Sequence, residues 1–342
     1  MMRFCMVTTF YPPYHFGGDA VYVRALAKAL VARGHYVEVI HCVDAFNAVN
    51  RAGISPDNVD SVNENLVLHK LESPFGIMSV LYTQQTGRPG FKTKQLKQLL
   101  SRNFDVVHFH NISLIGGPKL LEYSHADVTL YTLHEHWLLC PTHIFWKNQN
   151  KACDQRSCFS CSLKSGIPPQ LWRYSNLIKK SLTNVDCLLS PSQYTANKHI
   201  ADGLAVKIEV LPLFADIQPV NKQSKNSLSR PMFLFAGRLT LSKGIVPLLE
   251  FFRERRDLDL SIAGDGELLA DLKNEYGQYE HISFLGNVKQ TELIRLFQQS
   301  MSLIFPSLAP ETFGLSIVEA FACGTPAIVR DSGGSSELIR NS

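Results

Sequence analysis

The strongest constraint on the fold of this chain is its rhythm. Short apolar runs alternate with helix-length segments from one end to the other. The first series of runs is Phe4–Val7, Tyr36–Ile40, Leu66–Leu71, Val106–Phe109, Val128–Leu133, Cys187–Ser190 and Ile208–Leu211. A second series is Met232–Ala236, Leu258–Ala263, Ile282–Phe284, Leu303–Phe305 and Ala327–Val329. Strands separated by helices predict parallel sheets covered on both faces. Two series predict two α/β domains, and 342 residues at 45% hydrophobic content suffice for two cores. Residues 1–215 form the first expected domain, and 231–342 the second. The polar stretch 216–230 is the expected linker. Residues 44–65 lack periodicity and read as a long loop. The second domain is short, and Ser335–Arg340 starts a helix, so an incomplete C-terminal domain is expected.

Charge narrows the function classes. The formal net charge is +4, with acids and bases nearly balanced, which argues against the concentrated basic patch of a nucleic-acid binder. No apolar run reaches membrane-spanning length, and the N-terminus lacks the pattern of a signal peptide. A cytoplasmic protein is expected. For peripheral membrane contact the candidate is Leu171–Lys180, basic and aromatic together, with an ordinary surface helix as the alternative. Lys92–Lys97 reads as a solvated helix face.

Four turns carry the chemistry. Glu311 and Glu319 flank the entry to an apolar helix that ends at Gly324 and Pro326. A carboxylate in so apolar a helix is costly unless satisfied, by a hydroxyl-rich ligand or by a core partner. Arg238 and Lys243 follow the run Met232–Ala236 within one Gly-containing turn. A fork and a point charge together suit a diphosphate. Gly264, Asp265 and Gly266 follow the next run, and Pro306 and Ser307 follow a third. All lie at carboxyl ends of predicted strands, where open α/β sheets bind ligands.

This ordered set resembles the retaining glycosyltransferases of the GT-B fold, family 4 (group 1) type. It comprises Gly237-Arg238-Leu239 with Lys243-Gly244, Gly264-Asp265-Gly266, Phe284 to Gly286, Pro306-Ser307, and Glu311 to Ala320. The resemblance covers nearly the whole chain and implies two Rossmann-like domains facing across a cleft. The first would bind an acceptor, either a glycan, a lipid-linked oligosaccharide or a small glycoside. The second would bind a nucleotide-diphosphate-sugar. The implied reaction moves the sugar to an acceptor hydroxyl, in polysaccharide or glycolipid biosynthesis, without a catalytic metal. Arg238 and Lys243 would neutralise the diphosphate. Glu311 would hold sugar hydroxyls and Glu319 the ribose. Phe313, Gly314 and Leu315 would bring the helix N-terminus to the phosphate. Gly264, Asp265, Pro306 and Ser307 would line the base. His134, after the run Val128–Leu133, would contact the transferred sugar. Gly17 and Gly18 would let their loop approach it. The family's usual acid after that glycine pair is displaced here, the order being Gly17-Gly18-Asp19-Ala20. The alternatives are a catalytically silent nucleotide-sugar-binding protein and a GT-B nucleotide-sugar epimerase.

Three clusters stand apart from that set. His108 and His110 share a strand face, aimed either at the cleft or at a buried carbonyl. Asp257 and Asp259 have metal-binding spacing but sit at a strand's start, the wrong end of a sheet. Cys140, Cys153, Cys158 and Cys161 crowd one segment. A structural zinc is one reading, an iron–sulfur cluster another. Disulfides and free thiols are the remaining options.

Overall fold

The computed structural model describes residues 1–50, 64–217 and 230–340. The chain divides into two compact units: Met1–His143 with Cys158–Pro212, and Ile144–Ser157 with Leu213–Ser342. The first unit therefore ends a few residues before 215. The segment 144–157, expected in the first domain, groups with the second. Most of the expected linker, 218–229, lies outside the described residues.

The first unit holds a parallel sheet of β1 (Arg3–Val7), β2 (Tyr36–Cys42), β3 (Leu66–Leu71), β4 (Val106–Phe109) and β5 (Val128–Thr132). A two-residue-per-strand hairpin, β6 (Trp146–Lys147) and β7 (Lys151–Ala152), interrupts the series. The sheet then gains β8 (Cys187–Ser190) and β9 (Ile208–Val210). The order is β3-β2-β1-β4-β5-β8-β9. Each strand reads as a near-continuous apolar run because both faces are covered. Met6, Val37, Val39 and Leu66 pack with Val23 and Ala27 of helix α1 (Gly18–Ala32). The remaining helices of this unit are α2 (Val43–Val49), α3 (Ile77–Thr86), α4 (Thr93–Leu100), α5 (Cys158–Lys164), α6 (Leu177–Leu182) and α7 (Gln193–Ala201). Helix α2 corrects the expectation of a loop across 44–65, whose residues 51–63 lie outside the described set.

The second unit holds β10 (Met232–Ala236), β11 (Asp259–Ala263), β12 (Ile282–Gly286), β13 (Ser302–Phe305) and β14 (Ala327–Val329). All its ladders are parallel, in the order β12-β11-β10-β13-β14. Helices α8 (Ile245–Arg253), α9 (Leu269–Tyr276), α10 (Gln290–Gln299), α11 (Leu315–Ala322) and α12 (Ser335–Arg340) connect or follow these strands. One core layer sets Phe235, Leu260 and Ile262 against Leu249, Phe252 and Leu272. The other sets Leu234, Leu303 and Phe305 against Phe297, Ile317 and Ala320. Two layers on one parallel sheet are the doubly wound arrangement that alternation predicts.

Two surface expectations need correction. Leu171–Lys180 is not one amphipathic helix but a 3-10 turn, Leu171–Tyr174, followed by α6. Trp172 turns inward, and its Nε1 donates to the carbonyl of Gln84 at 2.9 Å. The Arg173 guanidinium lies over the Trp137 and Trp172 rings, 5.4 and 4.7 Å from their centroids. Lys92, expected in solvent, is fully buried and donates to Ser79 Oγ at 2.6 Å. Among the described residues, no helix is long and apolar enough to cross a membrane.

Candidate active site

In each of the two parallel sheets the strand order reverses once, and ligands of open α/β sheets bind at the carboxyl ends flanking that reversal. In the second unit the reversal lies between β10 and β13. Arg238 and Lys243 follow β10; Ser307 and Glu311 follow β13. The structure joins these two loops. The amides of Leu308 and Ala309 both donate to the Ser242 carbonyl, at 2.8 and 2.9 Å. Ser307 Oγ donates to Glu311 Oε1 at 2.5 Å, and Lys243 Nζ reaches the same oxygen at 2.6 Å. Burial alone would push the Glu311 carboxyl up. Lys243, Ser307 and the charge of Arg238 outweigh it and hold the carboxyl below its usual value. Glu311 is thus an ionised acceptor between two cations, and Arg238 is exposed to solvent.

The third loop abuts the first. Gly264, after β11, has φ 147°, and a Cβ there would stand 1.9 Å from the Gly237 carbonyl oxygen. Only glycine fits both the angle and the approach. The Leu239 amide donates to the Asp265 carbonyl at 2.9 Å, and the Asp265 carboxylate caps the Gly266 amide at 2.7 Å. Gly314 precedes α11, and Phe313 behind it is buried. Leu315 is the first residue of that helix, so unpaired amides face out from its start. One turn on, the carboxylate of Glu319 has no side-chain hydrogen bond or ion pair among the described residues, and burial pushes its pKa up to about 7. Arg238, Lys243, Gly264, Asp265, Ser307 and Glu311 therefore occupy adjoining loops, and Leu315 and Glu319 lie on α11. Pro306 separates the end of β13 from Ser307.

In the first unit the reversal lies between β1 and β4. Gly17 caps α1 with φ 79° and ψ 177°, a conformation open essentially to glycine alone, and Gly18 begins the helix. Asp19, in its first turn, accepts from Asn111 Nδ2 at 3.2 Å. Asn111 in turn is pinned after β4 by its own carbonyl, which accepts from the Thr9 amide at 2.5 Å. The displaced acid of the glycine pair is therefore held at the reversal by an asparagine that the sequence analysis did not single out. Its signal is a polar residue two positions past a strand's end.

His108 and His110 do share a face, with ring centroids 4.0 Å apart. His108 Nε2 meets Thr132 Oγ1 at 2.7 Å. His110 Nδ1 meets His134 Nε2 at 2.9 Å. Tyr22 of α1 packs edge-on against His134 at 5.4 Å. Burial depresses all three histidines, and the neighbouring imidazoles add to it at His110 and His134: His108 and His134 fall to about 3, and His110 well below its ordinary value. All three are neutral hydrogen-bonding groups at physiological pH.

The candidate ligands of the expected metal centre lie in the segment 140–161. Among the described residues, no three His, Cys, Asp or Glu side chains are grouped to hold a metal ion. Cys140 Sγ engages Thr142 Oγ1 at 3.2 Å, and Cys153 Sγ points to the Gln155 carbonyl at 3.7 Å. The β6–β7 hairpin separates those two cysteines along the chain, and Cys158 and Cys161 sit on α5. Among the described residues, none of the eight cysteines forms a disulfide. Asp257 pairs with Arg255 and Asp259 with Arg230 at the start of β11, consistent with a structural role.

Two family models match consecutive parts of the chain: Glycosyltransferase Family 4 over residues 16–218, and Glycosyl transferases group 1 over 216–342. The chain belongs to glycosyltransferase family 4. A D-inositol 3-phosphate glycosyltransferase of Pseudarthrobacter chlorophenolicus is 35% identical over 354 residues, covering 94% of this chain and 76% of the relative. An uncharacterised glycosyltransferase of Methanocaldococcus jannaschii is 26% identical over 371 residues, covering 99% and 83%. Among solved structures, a sucrose-phosphate synthase of Thermosynechococcus elongatus superimposes with a TM-score of 0.68 at 18% identity, covering 98% of this chain and 82% of that one. Anabaena HepE, solved with UDP and glucose, gives 0.62 at 19% identity, covering 99% and 83%. These likenesses are of fold. The family makes the protein a sugar-transferring enzyme, and the epimerase alternative falls.

Proposed function

We propose that this glycosyltransferase takes its sugar from a nucleoside-diphosphate donor bound at the β10–β13 reversal, and transfers it with retained anomeric configuration. The observation that carries this is the trio Lys243–Glu311–Ser307 beside exposed Arg238. Cations for a diphosphate stand there against an ionised carboxylate for sugar hydroxyls. Leaving-group charge grows on the diphosphate as the glycosidic bond breaks, and fixed cations stabilise that charge most when it is largest. Arg238 and Lys243 fill this role, with the amides at the start of α11 adding dipolar support.

Glu311 orients the sugar through its hydroxyls. Glu319 receives the ribose hydroxyls and exchanges an unfavourable buried carboxyl for a hydrogen-bonded one. Gly264, Asp265, Pro306 and Ser307 flank the base. Neutral His134 supplies a hydrogen bond to the transferred sugar. The acceptor hydroxyl belongs to a glycan, a lipid-linked oligosaccharide or a small glycoside. The UDP and glucose bound by Anabaena HepE make UDP-glucose the first donor to try.

The test is calorimetric titration of UDP-, GDP- and ADP-sugars, with Arg238→Ala as control, followed by proton NMR of the product's anomeric centre. One nucleotide class should bind, more weakly in the variant, and the product should keep the donor's anomeric configuration. Equal binding by the variant would remove Arg238 from the donor site, and an inverted product would exclude retention.

A further inference from the structure

Helix α3 is built inside out. Its buried face carries Ser79, Thr83 and Gln84 with Val80 as the one aliphatic residue. Those polar groups are satisfied internally: Ser79 Oγ accepts from Lys92, Thr83 Oγ1 donates to the Ser79 carbonyl, and Gln84 Nε2 donates to the Pro168 carbonyl. Its outward face carries Ile77, Met78, Leu81 and Tyr82, between 41% and 60% exposed. Normal surface helices show the opposite pattern. Phe75 and Phe91 extend this face. Their rings stack at 4.3 Å while each is about half exposed, and Tyr82 packs edge-on against Phe91 at 5.7 Å. The result is one contiguous apolar ridge, which on a soluble surface marks an interaction site.

Charge beside the ridge narrows the partner. From Ser73 to Phe104 the chain has five Lys or Arg and no Asp or Glu. Arg88, Lys94 and Lys97 are exposed at the edge of the ridge. A pocket of about 440 Å³ opens between Tyr82, Phe91, Arg88, Lys119 and Tyr123. Lys97 Nζ stands 5.1 Å from the Tyr123 ring centroid at its rim. Glu122, the chain neighbour of Tyr123, is held by Lys119 and Ser181. The pocket lies in the first unit, and none of its lining residues is a switch-point residue.

We propose that this face docks on an anionic phospholipid surface. The ridge enters the headgroup–acyl boundary, and Arg88, Lys94 and Lys97 meet the lipid phosphates. Apolar side chains with flanking cations are the recognised chemistry of interfacial binding. This surface replaces Leu171–Lys180 as the candidate contact. It does not depend on which donor the enzyme uses.

The test is co-flotation of the full chain with vesicles of phosphatidylcholine, either alone or containing phosphatidylglycerol. The chain should float with the anionic vesicles only, and salt should release it. Lys94→Gln with Lys97→Gln should weaken that binding about thirtyfold, and Met78→Ser with Leu81→Ser should abolish it. All four side chains are exposed, so the variants should match the parent in circular dichroism and melting. Absence of flotation, equal flotation with neutral vesicles, or flotation unaffected by both variants would overturn the proposal. A concentration-dependent dimer that Met78→Ser with Leu81→Ser dissolves would instead give the ridge to a second copy, and would also overturn it.

Discussion

Lys243 Nζ lies 2.6 Å from Glu311 Oε1, a contact that closes 68 residues of chain onto the β10–β13 reversal. The two groups were expected to serve different parts of a donor, one the diphosphate and one the sugar. Without a donor each neutralises the other. A bound diphosphate would share Lys243 and leave Glu311 to the sugar hydroxyls, so the site stays compensated in both states.

This coupling predicts the behaviour of single and double variants. Glu311→Ala should leave Lys243 without its carboxylate and destabilise the protein by about 1–3 kcal/mol. Lys243→Ala should cost a similar amount. The double variant should cost less than the sum, as urea denaturation in a double-mutant cycle would reveal. Additive costs would mean that the contact contributes nothing. Because the folded carboxyl lies below its usual value, the pair's contribution is present above the unfolded pKa and fades as pH falls through the folded one.

Glu319 predicts the opposite dependence. Burial raises its pKa to about 7, above the unfolded value. Stability linked to it is full in acid and is lost as pH rises through about 7. Glu319→Gln should therefore stabilise the protein at pH 8, by about 1–3 kcal/mol, with little effect at pH 4. If the ribose pairs with the ionised carboxylate, donor binding near pH 6.5 should release a proton. Calorimetry in buffers of different ionisation enthalpy reads that release directly, and Glu319→Gln should abolish it. Binding with no buffer dependence would separate Glu319 from the nucleotide.

The tight approach at Gly264 gives a backbone prediction. Gly264→Ala would place its Cβ 1.9 Å from the Gly237 oxygen at a φ of 147°. The loops after β10 and β11 must then part. A loss of about 2–4 kcal/mol is expected, with weakened nucleotide binding because Arg238 sits on the displaced loop. A change below about 0.5 kcal/mol in urea denaturation would mean that the loops have slack.

Strand positions were legible because buried parallel strands write themselves as apolar runs. Leu66–Leu71, Val106–Phe109, Cys187–Ser190, Met232–Ala236 and Ala327–Val329 match their runs end to end. Turn chemistry placed Arg238, Ser307 and Glu311 at strand ends, and topology then brought them together. What escaped was set by tertiary context. Helix α2 is too short to show a period. The β6–β7 hairpin turns through Asn148 and Gln149 at φ 54° and 57°, which no glycine announces. Lys92 reads as a solvated cation, yet Ser79 buries it. Asn111 acquires its place only when β4 meets β1.

The histidine cluster offers a spectroscopic prediction. His108 and His134 fall to about 3, and His110 well below its usual value, because burial disfavours their charged forms. A histidine depressed in the folded state contributes its stability above the unfolded pKa, near 6.5. That contribution is lost as pH falls toward the folded value. The protein should therefore lose stability progressively below about pH 6.5. His110→Asn, which keeps a hydrogen-bonding side chain without a base, should soften that loss. Nitrogen-15 spectra of the imidazoles should show His134 in one neutral tautomer from pH 8 to pH 5, its Nε2 perturbed by His110. Turnover should then show no limb from His134 ionisation in this range. If His134 titrated near pH 6.5, the imidazole would be exposed to solvent or paired with a carboxylate. Its role as a neutral hydrogen-bonding group toward the sugar would then be lost.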